Sequence, residues 1–181
     1  MRVDLLYPKE CAAIERALRG QYKLIWIIGL STGLRISDIL RLKSSDFEKE
    51  RFYIKEQKTG KWRRVYVRKK TRKAVHEYLE NRSNVCTDKL FGVSRQAVWE
   101  SFKRAGQRAE IHKNIGTHTM RKSYSVGHIG KGFDIADLQR RLNHSKIGDT
   151  IGYITSNSAL GLDEHGRKRK TKNTKHRKGK K

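Results

Sequence analysis

Seven side chains spread over positions 35 to 153 have the types needed for chemistry on a phosphodiester: Arg35, Asp38, Lys58, His118, Arg121, His144 and Tyr153. Arg35 and Asp38 stand three apart, as do His118 and Arg121 in HTMR, so each pair shares a face if its segment is helical. Tyr153 follows His144 by nine residues, just past the turn HSKIGD. Phosphodiester cleavage develops charge on the non-bridging oxygens, which two guanidinium forks can clamp bidentately. Preorganised donors of that kind are commonly the largest contribution to the rate. A tyrosine hydroxyl attacks phosphorus once its proton is taken, forming a covalent phosphotyrosine without an activated water. A histidine suits that proton transfer, and a lysine suits protonation of the leaving 5′-oxygen. The sequence has no acidic cluster to hold Mg²⁺, so cationic side chains are expected to stand in for a metal.

Taken singly, each residue has a plainer reading. Arg35 could serve only as the ion partner of Asp38 or of a surface carboxylate, and Lys58 only as a solvated turn lysine, with Lys61 competing for any role. His118, like His112 and His128, reads as an exposed or capping residue, and Tyr153 as a core-edge ring like Tyr78 and Tyr124. Only a fold that gathers the set makes a phosphate site of it.

The elements that would gather them are mostly helices. YPKECAAIERALRG reads as a helix with Pro8 at its first position and Gly20 as its stop. QYKLIWIIGLSTG is apolar nearly all round, which predicts a buried helix ending at Gly33. LRISDILRLKSSDF (34–47) follows as another short helix with Ile36, Ile39, Leu40 and Leu42 turned inward. RFYIKE and WRRVYV, joined by QKTGK, predict an antiparallel hairpin with Lys58 at its turn. Helical patterns return in TRKAVHEYLENRS, SRQAVWESFKRAGQRAE, THTMRKSYSVGHIGKG and DIADLQRRLNHS, and DTIGYIT begins a last short helix.

Charge points to the partner. The 181-residue chain carries a net +25, and RKRKTKNTKHRKGKK (167–181) supplies ten of those positives with no acid. The remaining body is basic in its own right, which fits a polyanion, above all nucleic acid. No apolar run approaches the length of a membrane span, and the mixed polar start after Met1 leads to the expectation of no secretory leader. Cys11 and Cys86 show neither metal spacing nor pairing logic and are read as reduced thiols. A cytoplasmic, nucleoid-associated protein is the expectation, with no cofactor and no metal.

The runs STGLRISDILRL, KTGKWRRVYV, HTMRKSYSVGHIGKG and LQRRLNHSKIGDTIGYI together resemble the catalytic domain of the tyrosine recombinase (phage integrase) family over roughly residues 5–160. The resemblance implies an α+β fold, a mostly helical single domain with a small antiparallel sheet. That domain is expected over residues 1–161, with a basic, disordered tail over 162–181. Arg35 and Arg121 would then bind the scissile phosphate, His144 would add a hydrogen bond to it, and His118 would exchange the nucleophile's proton. Lys58 would protonate the leaving group, Tyr153 would join a DNA 3′-phosphate, and Asp38 would orient its cationic neighbours.

The implied activity is site-specific recombination of double-stranded DNA by four protomers on two duplexes, with a monomer possible off DNA. A DNA-binding regulator that keeps the fold, and a type IB topoisomerase-like relaxing enzyme, are the alternatives. Three departures stand out. LNH replaces the family's usual LGH, a change expected to be tolerated at a turn. The helical clamp domain that commonly precedes the catalytic domain is not expected in this sequence, which is either a piece of a longer protein or one of the short, single-domain members such as the fimbrial phase-switch recombinases. SNSALGL (156–162) is short for the family's subunit-docking helix.

Overall fold

The computed structural model describes residues 3–82, 88–129, 134–148 and 150–151. Seven α-helices, one 3₁₀ turn and a two-stranded antiparallel sheet make up the described elements. Helix α1 (Pro8–Ala17) starts as its sequence demands, with Pro8 inside the first turn and the Glu10 carboxylate accepting the Tyr7 N–H at 2.7 Å. It ends before Gly20, however. Gly20 opens α2 (Gly20–Thr32), so the expected stop is instead the start of the next helix.

Helix α2 is the hub. Leu24, Ile25, Trp26 and Ile28 are buried, and the helix touches α1, α3 (Ile36–Ile39), α4 (Lys69–Glu80), α5 (Arg95–Arg108) and α6 (Thr119–Ile129). Trp26 meets Phe102 of α5 (Arg95–Arg108) edge to face, with ring centroids 5.0 Å apart. Gly33 closes α2 in the left-handed conformation, φ 64°.

The long helix expected over 34–47 is broken. α3 covers only Ile36–Ile39, and Ser44–Phe47 forms a 3₁₀ turn. Ile36, Ile39 and Leu42 are buried and Leu40 is half-buried, so the inward faces follow the sequence pattern although the helix does not. Strands β1 (Arg51–Lys55) and β2 (Trp62–Tyr66) form the expected hairpin, pairing Arg51 with Tyr66 and Lys55 with Trp62 at its two ends. α4 (Lys69–Glu80), α5, α6 (Thr119–Ile129) and α7 (Ile135–Leu142) match the remaining helical patterns. α7 packs on α6 through a small cluster of Tyr124, Leu138 and Leu142. A helical turn resumes at Ile147, and the chain is described as far as Ile151. Tyr153, the expected domain end at Gly161, the basic tail and Cys86 lie outside the described residues.

Tyr124 is buried and Tyr78 packs half-buried on the core, as read. His112 is exposed, but His128 is buried, with Nδ1 3.2 Å from the Tyr124 carbonyl and its ring 4.2 Å from the Tyr124 ring. The helical period of α6 turns His128 into the groove below α7, which local sequence does not reveal. Half-buried Cys11 is a free thiol, and burial pushes its pKa up to about 11.

The end of α2 tolerates no side chain. A Cβ on Gly33 would stand 2.6 Å from the Tyr124 ring, in a left-handed conformation that L-residues resist. Gly33→Ala is expected to cost roughly 2 kcal/mol, read as a lower urea midpoint; an unchanged midpoint would refute this account of the helix end.

Candidate nucleic-acid cleavage site

Two buried arginines dock on the carbonyl end of α2. Arg121, on α6, donates from Nη1 to the Gly33 carbonyl at 2.6 Å and from Nη2 to the Leu142 carbonyl at 2.7 Å. Arg63, on β2, donates to the Thr32 carbonyl at 2.6 Å. A helix C-terminus presents carbonyls with no partner inside the helix and a partial negative charge, so guanidinium groups are favoured there. Arg121 is therefore held by backbone from two different helices, α2 and α7.

From that point the site builds outward. Arg121 Nη2 lies 2.9 Å from His144 Nε2, and His144 Nδ1 lies 2.9 Å from the Thr150 hydroxyl. Arginine only donates, so His144 accepts at Nε2 and carries its proton on Nδ1 in this arrangement. Asn143, just before it, ends α7 in the left-handed conformation at φ 54°. Asparagine is the non-glycine residue that best accepts this conformation, which is the physical reason the LNH variant fits the turn. Its amide also reaches Glu56 at 3.4 Å, a contact that glycine could not make.

Arg35 is not inside a helix but at the N-cap of α3, so it and Asp38 do not form a helical i,i+3 pair. The ion partner of Arg35 is Glu56, at 2.9 Å, with the Glu56 side chain fully buried. Glu56 also faces Arg63 at 3.7 Å and accepts from the Thr59 hydroxyl at 2.8 Å. Burial pushes the Glu56 carboxyl up, but Thr59, Arg35 and Arg63 outweigh it and hold the group below the usual carboxylate range. Asp38 is buried and accepts the Gln57 N–H at 2.9 Å, which pins the hairpin turn to α3. Lys58 follows on that turn, exposed.

His118, just ahead of α6, is exposed as a residue. Partial desolvation of its ring, then the fields of Arg95, Arg121, Arg35 and Lys58, hold its pKa below the ordinary imidazole value. Six of the seven sequence candidates thus lie within the described residues: Arg35, Lys58, His118 and Arg121 share one electrostatic neighbourhood, His144 contacts Arg121, and Asp38 supports the turn carrying Lys58. Lys61, the competing lysine, donates to the Ser145 hydroxyl at 2.9 Å.

Sequence reasoning missed Glu56, Arg63, Thr150 and Arg95, and marked Asn143 only as a tolerated departure. Glu56 and Arg63 flank the hairpin turn at buried positions of a strand pattern, and a charge on the inner face is the one signal that marked them.

The fold is that of a tyrosine recombinase catalytic domain. It superposes on a XerA recombinase crystal structure with a TM-score of 0.74 at 23% identity, covering 84% of this chain and 60% of that one. The catalytic domain of bacteriophage HP1 integrase gives 0.68 at 25% identity, covering 88% and 92%. The phage integrase family profile matches residues 5–159, and the chain belongs to that family. A Bacillus subtilis protein named probable integrase/recombinase YoeC is 32% identical over 148 residues, 77% of each chain. The tyrosine recombinase XerA of Saccharolobus solfataricus is 27% identical over 137 residues, 75% of this chain but 46% of its own length. The chain thus spans about half of that relative.

Two outcomes test the site. Glu56→Gln leaves Arg63 buried without its carboxylate and is expected to cost about 3–5 kcal/mol, measured by denaturant unfolding; a loss within error would mean that the triad is not coupled. Arg95→Ala is expected to raise the His118 pKa, followed by NMR titration of the ring. Since folding depresses that pKa, the protein loses stability as pH falls below about 6.5, and Arg95→Ala should soften that loss.

Proposed function

We propose that the chain cleaves and rejoins double-stranded DNA through a covalent 3′-phosphotyrosine at Tyr153, and so acts as a site-specific recombinase. The observation that carries this reading is the neutral-leaning His118 set among Arg35, Lys58 and Arg121, with Arg121 in contact with His144. Thr150, bonded to His144, stands three residues before Tyr153 in the sequence, a length of chain that spans at most about 11 Å.

Arg35 and Arg121 neutralise the non-bridging oxygens, and the Glu56 pair and the α2 carbonyls keep both guanidiniums in place. Tyr153 Oη attacks phosphorus as its proton passes to His118, and the P–O5′ bond breaks. The leaving 5′-oxygen takes a proton from Lys58. Lys58 fits this role better than Lys61, because its field reaches His118 whereas Lys61 is bonded to Ser145. His144 donates to a phosphate oxygen once Nε2 carries a proton, in the other tautomer or the protonated ring, and Nε2 then no longer accepts from Arg121. Attack by a 5′-hydroxyl of a partner strand reverses the steps and needs no external energy source, since the phosphotyrosine keeps the bond energy.

Residues 1–161 form the catalytic domain in this reading, and the 162–181 tail attaches to DNA without regard to sequence, adding to the salt dependence of binding. Four protomers on two duplexes would complete an exchange. Among the described residues no helix is long and apolar enough to cross a membrane.

The test is an SDS-resistant protein–DNA adduct formed on nicked duplexes in EDTA. Wild-type protein is expected to form it, Tyr153→Phe to abolish it, and Lys58→Ala to slow it by about 10²–10⁴-fold while Lys61→Ala slows it far less. An adduct that survives Tyr153→Phe would overturn the assignment of the nucleophile. Its absence from wild-type protein on every duplex of a broad panel would overturn the enzyme reading.

A further inference from the structure

One face of the hairpin has no part in the cleavage site. Side chains alternate along each strand, so Phe52, Arg63 and Val65 turn to the core while Arg51, Tyr53, Lys55, Trp62, Arg64 and Tyr66 turn outward. The pairing register sets Arg51 opposite Tyr66, Tyr53 opposite Arg64 and Lys55 opposite Trp62. Every cross-strand pair on the outer face therefore joins one cation to one aromatic ring, and the ring changes strand at each step. The result is a checkerboard of three rings and three positive charges.

These rings are unusually bare. Tyr53 is 64% exposed, Trp62 67% and Tyr66 51%, and they make up three of the five large hydrophobic side chains that stand exposed among the described residues. None of the three stacks on another ring or lies under a cation among those residues. Likewise none of Arg51, Lys55 and Arg64 has an acidic partner there. Trp62, Arg64 and Tyr66 continue into an open depression of about 800 Å³ whose far wall carries Arg140 and Arg141 of α7.

We propose that this face binds unpaired nucleic acid, with bases stacked on Tyr53, Trp62 and Tyr66 and phosphates held by Arg51, Lys55 and Arg64. Diagonal neighbours on a sheet stand roughly 7–8 Å apart, a step that an extended single strand can follow while a stacked duplex cannot. A duplex offers its phosphates but hides its base faces, so it would leave the three rings unused. An unpaired strand uses both halves of the pattern, because every base has a stacking face and every linkage a charge. Strand exchange, in the function proposed above, releases such unpaired ends. Recognition by this surface requires no Tyr153 chemistry.

The test uses the full chain with a thymidine oligomer, a duplex of the same length, and two variants. Wild-type tryptophan fluorescence should be quenched by the oligomer, because Trp62 is exposed whereas Trp26 is buried and Trp99 half-buried. Trp62→Phe should remove the quench while keeping affinity within about threefold, since a stacking ring remains. The triple variant Tyr53→Ala/Trp62→Ala/Tyr66→Ala should lose roughly tenfold or more in single-strand affinity, with duplex affinity nearly unchanged. The basic tail serves both DNA forms in every variant, so it cannot produce that difference. Equal losses on both forms, or no loss on the single strand, would overturn the proposal. So would a triple variant that keeps its single-strand affinity while sedimenting as a smaller species, which would make the face a contact between copies. The covalent adduct on nicked duplex, measured in the same triple variant, reports on Tyr153 chemistry separately.

Discussion

The carbonyl end of α2 is the constraint on which the rest of the site depends. Gly33 leaves the helix in a left-handed turn, and the Thr32 and Gly33 carbonyls that this frees receive Arg63 from the hairpin and Arg121 from α6. A buried guanidinium is costly unless its donors are filled, and the end of a helix supplies acceptors of the right sign without a second titratable group. Because α2 is also the helix around which α1, α3, α4, α5 and α6 pack, the two arginines are positioned by the hub of the described helices.

Glu56 transmits that constraint to the surface. It faces buried Arg63 on one side and partly open Arg35 on the other, so the arginine that can reach a phosphate is held by the same carboxylate that neutralises the structural one. Such a buried triad is poor evidence for net stability, since desolvation offsets most of the attraction. Its use lies in geometry: Arg35, at an N-cap rather than within a helix, has little else to fix its direction. Asn143 touches the same carboxylate, joining the end of α7, and with it His144, to the hairpin.

The cation cluster has an electrostatic consequence of its own. Partial desolvation, and then the fields of Arg95, Arg121, Arg35 and Lys58, disfavour a further positive charge on the His118 imidazole and hold its pKa below the ordinary value. In the proposed reaction a bound phosphate would relieve part of that field, and proton uptake by His118 would be tied to occupancy of the site.

Most of this was legible locally. The helix-forming runs, the Thr-Gly hairpin and the left-handed Gly33 follow from periodicity and turn chemistry, and the order of Arg35, Lys58, His118, Arg121, His144 and Tyr153 was enough to suggest the family. What local sequence could not show was anything set by partners distant in the chain. Arg35 reads locally as the mate of Asp38 or of a surface carboxylate, yet its partner is the buried Glu56, because the hairpin folds back under α3 and leaves Asp38 to cap the Gln57 N–H. The 34–47 segment carried a helical pattern, but it breaks into a short helix and a 3₁₀ turn where the chain bends toward the hairpin and the strand-like bridge at Lys43 and Lys89. His128 looked like a surface histidine until α7 closed over α6. Residue type and spacing determined which groups were available for the chemistry. Tertiary packing alone decided which carboxylate faces which arginine, because a buried charge is satisfied by whatever the fold brings within reach and not by its neighbour in sequence.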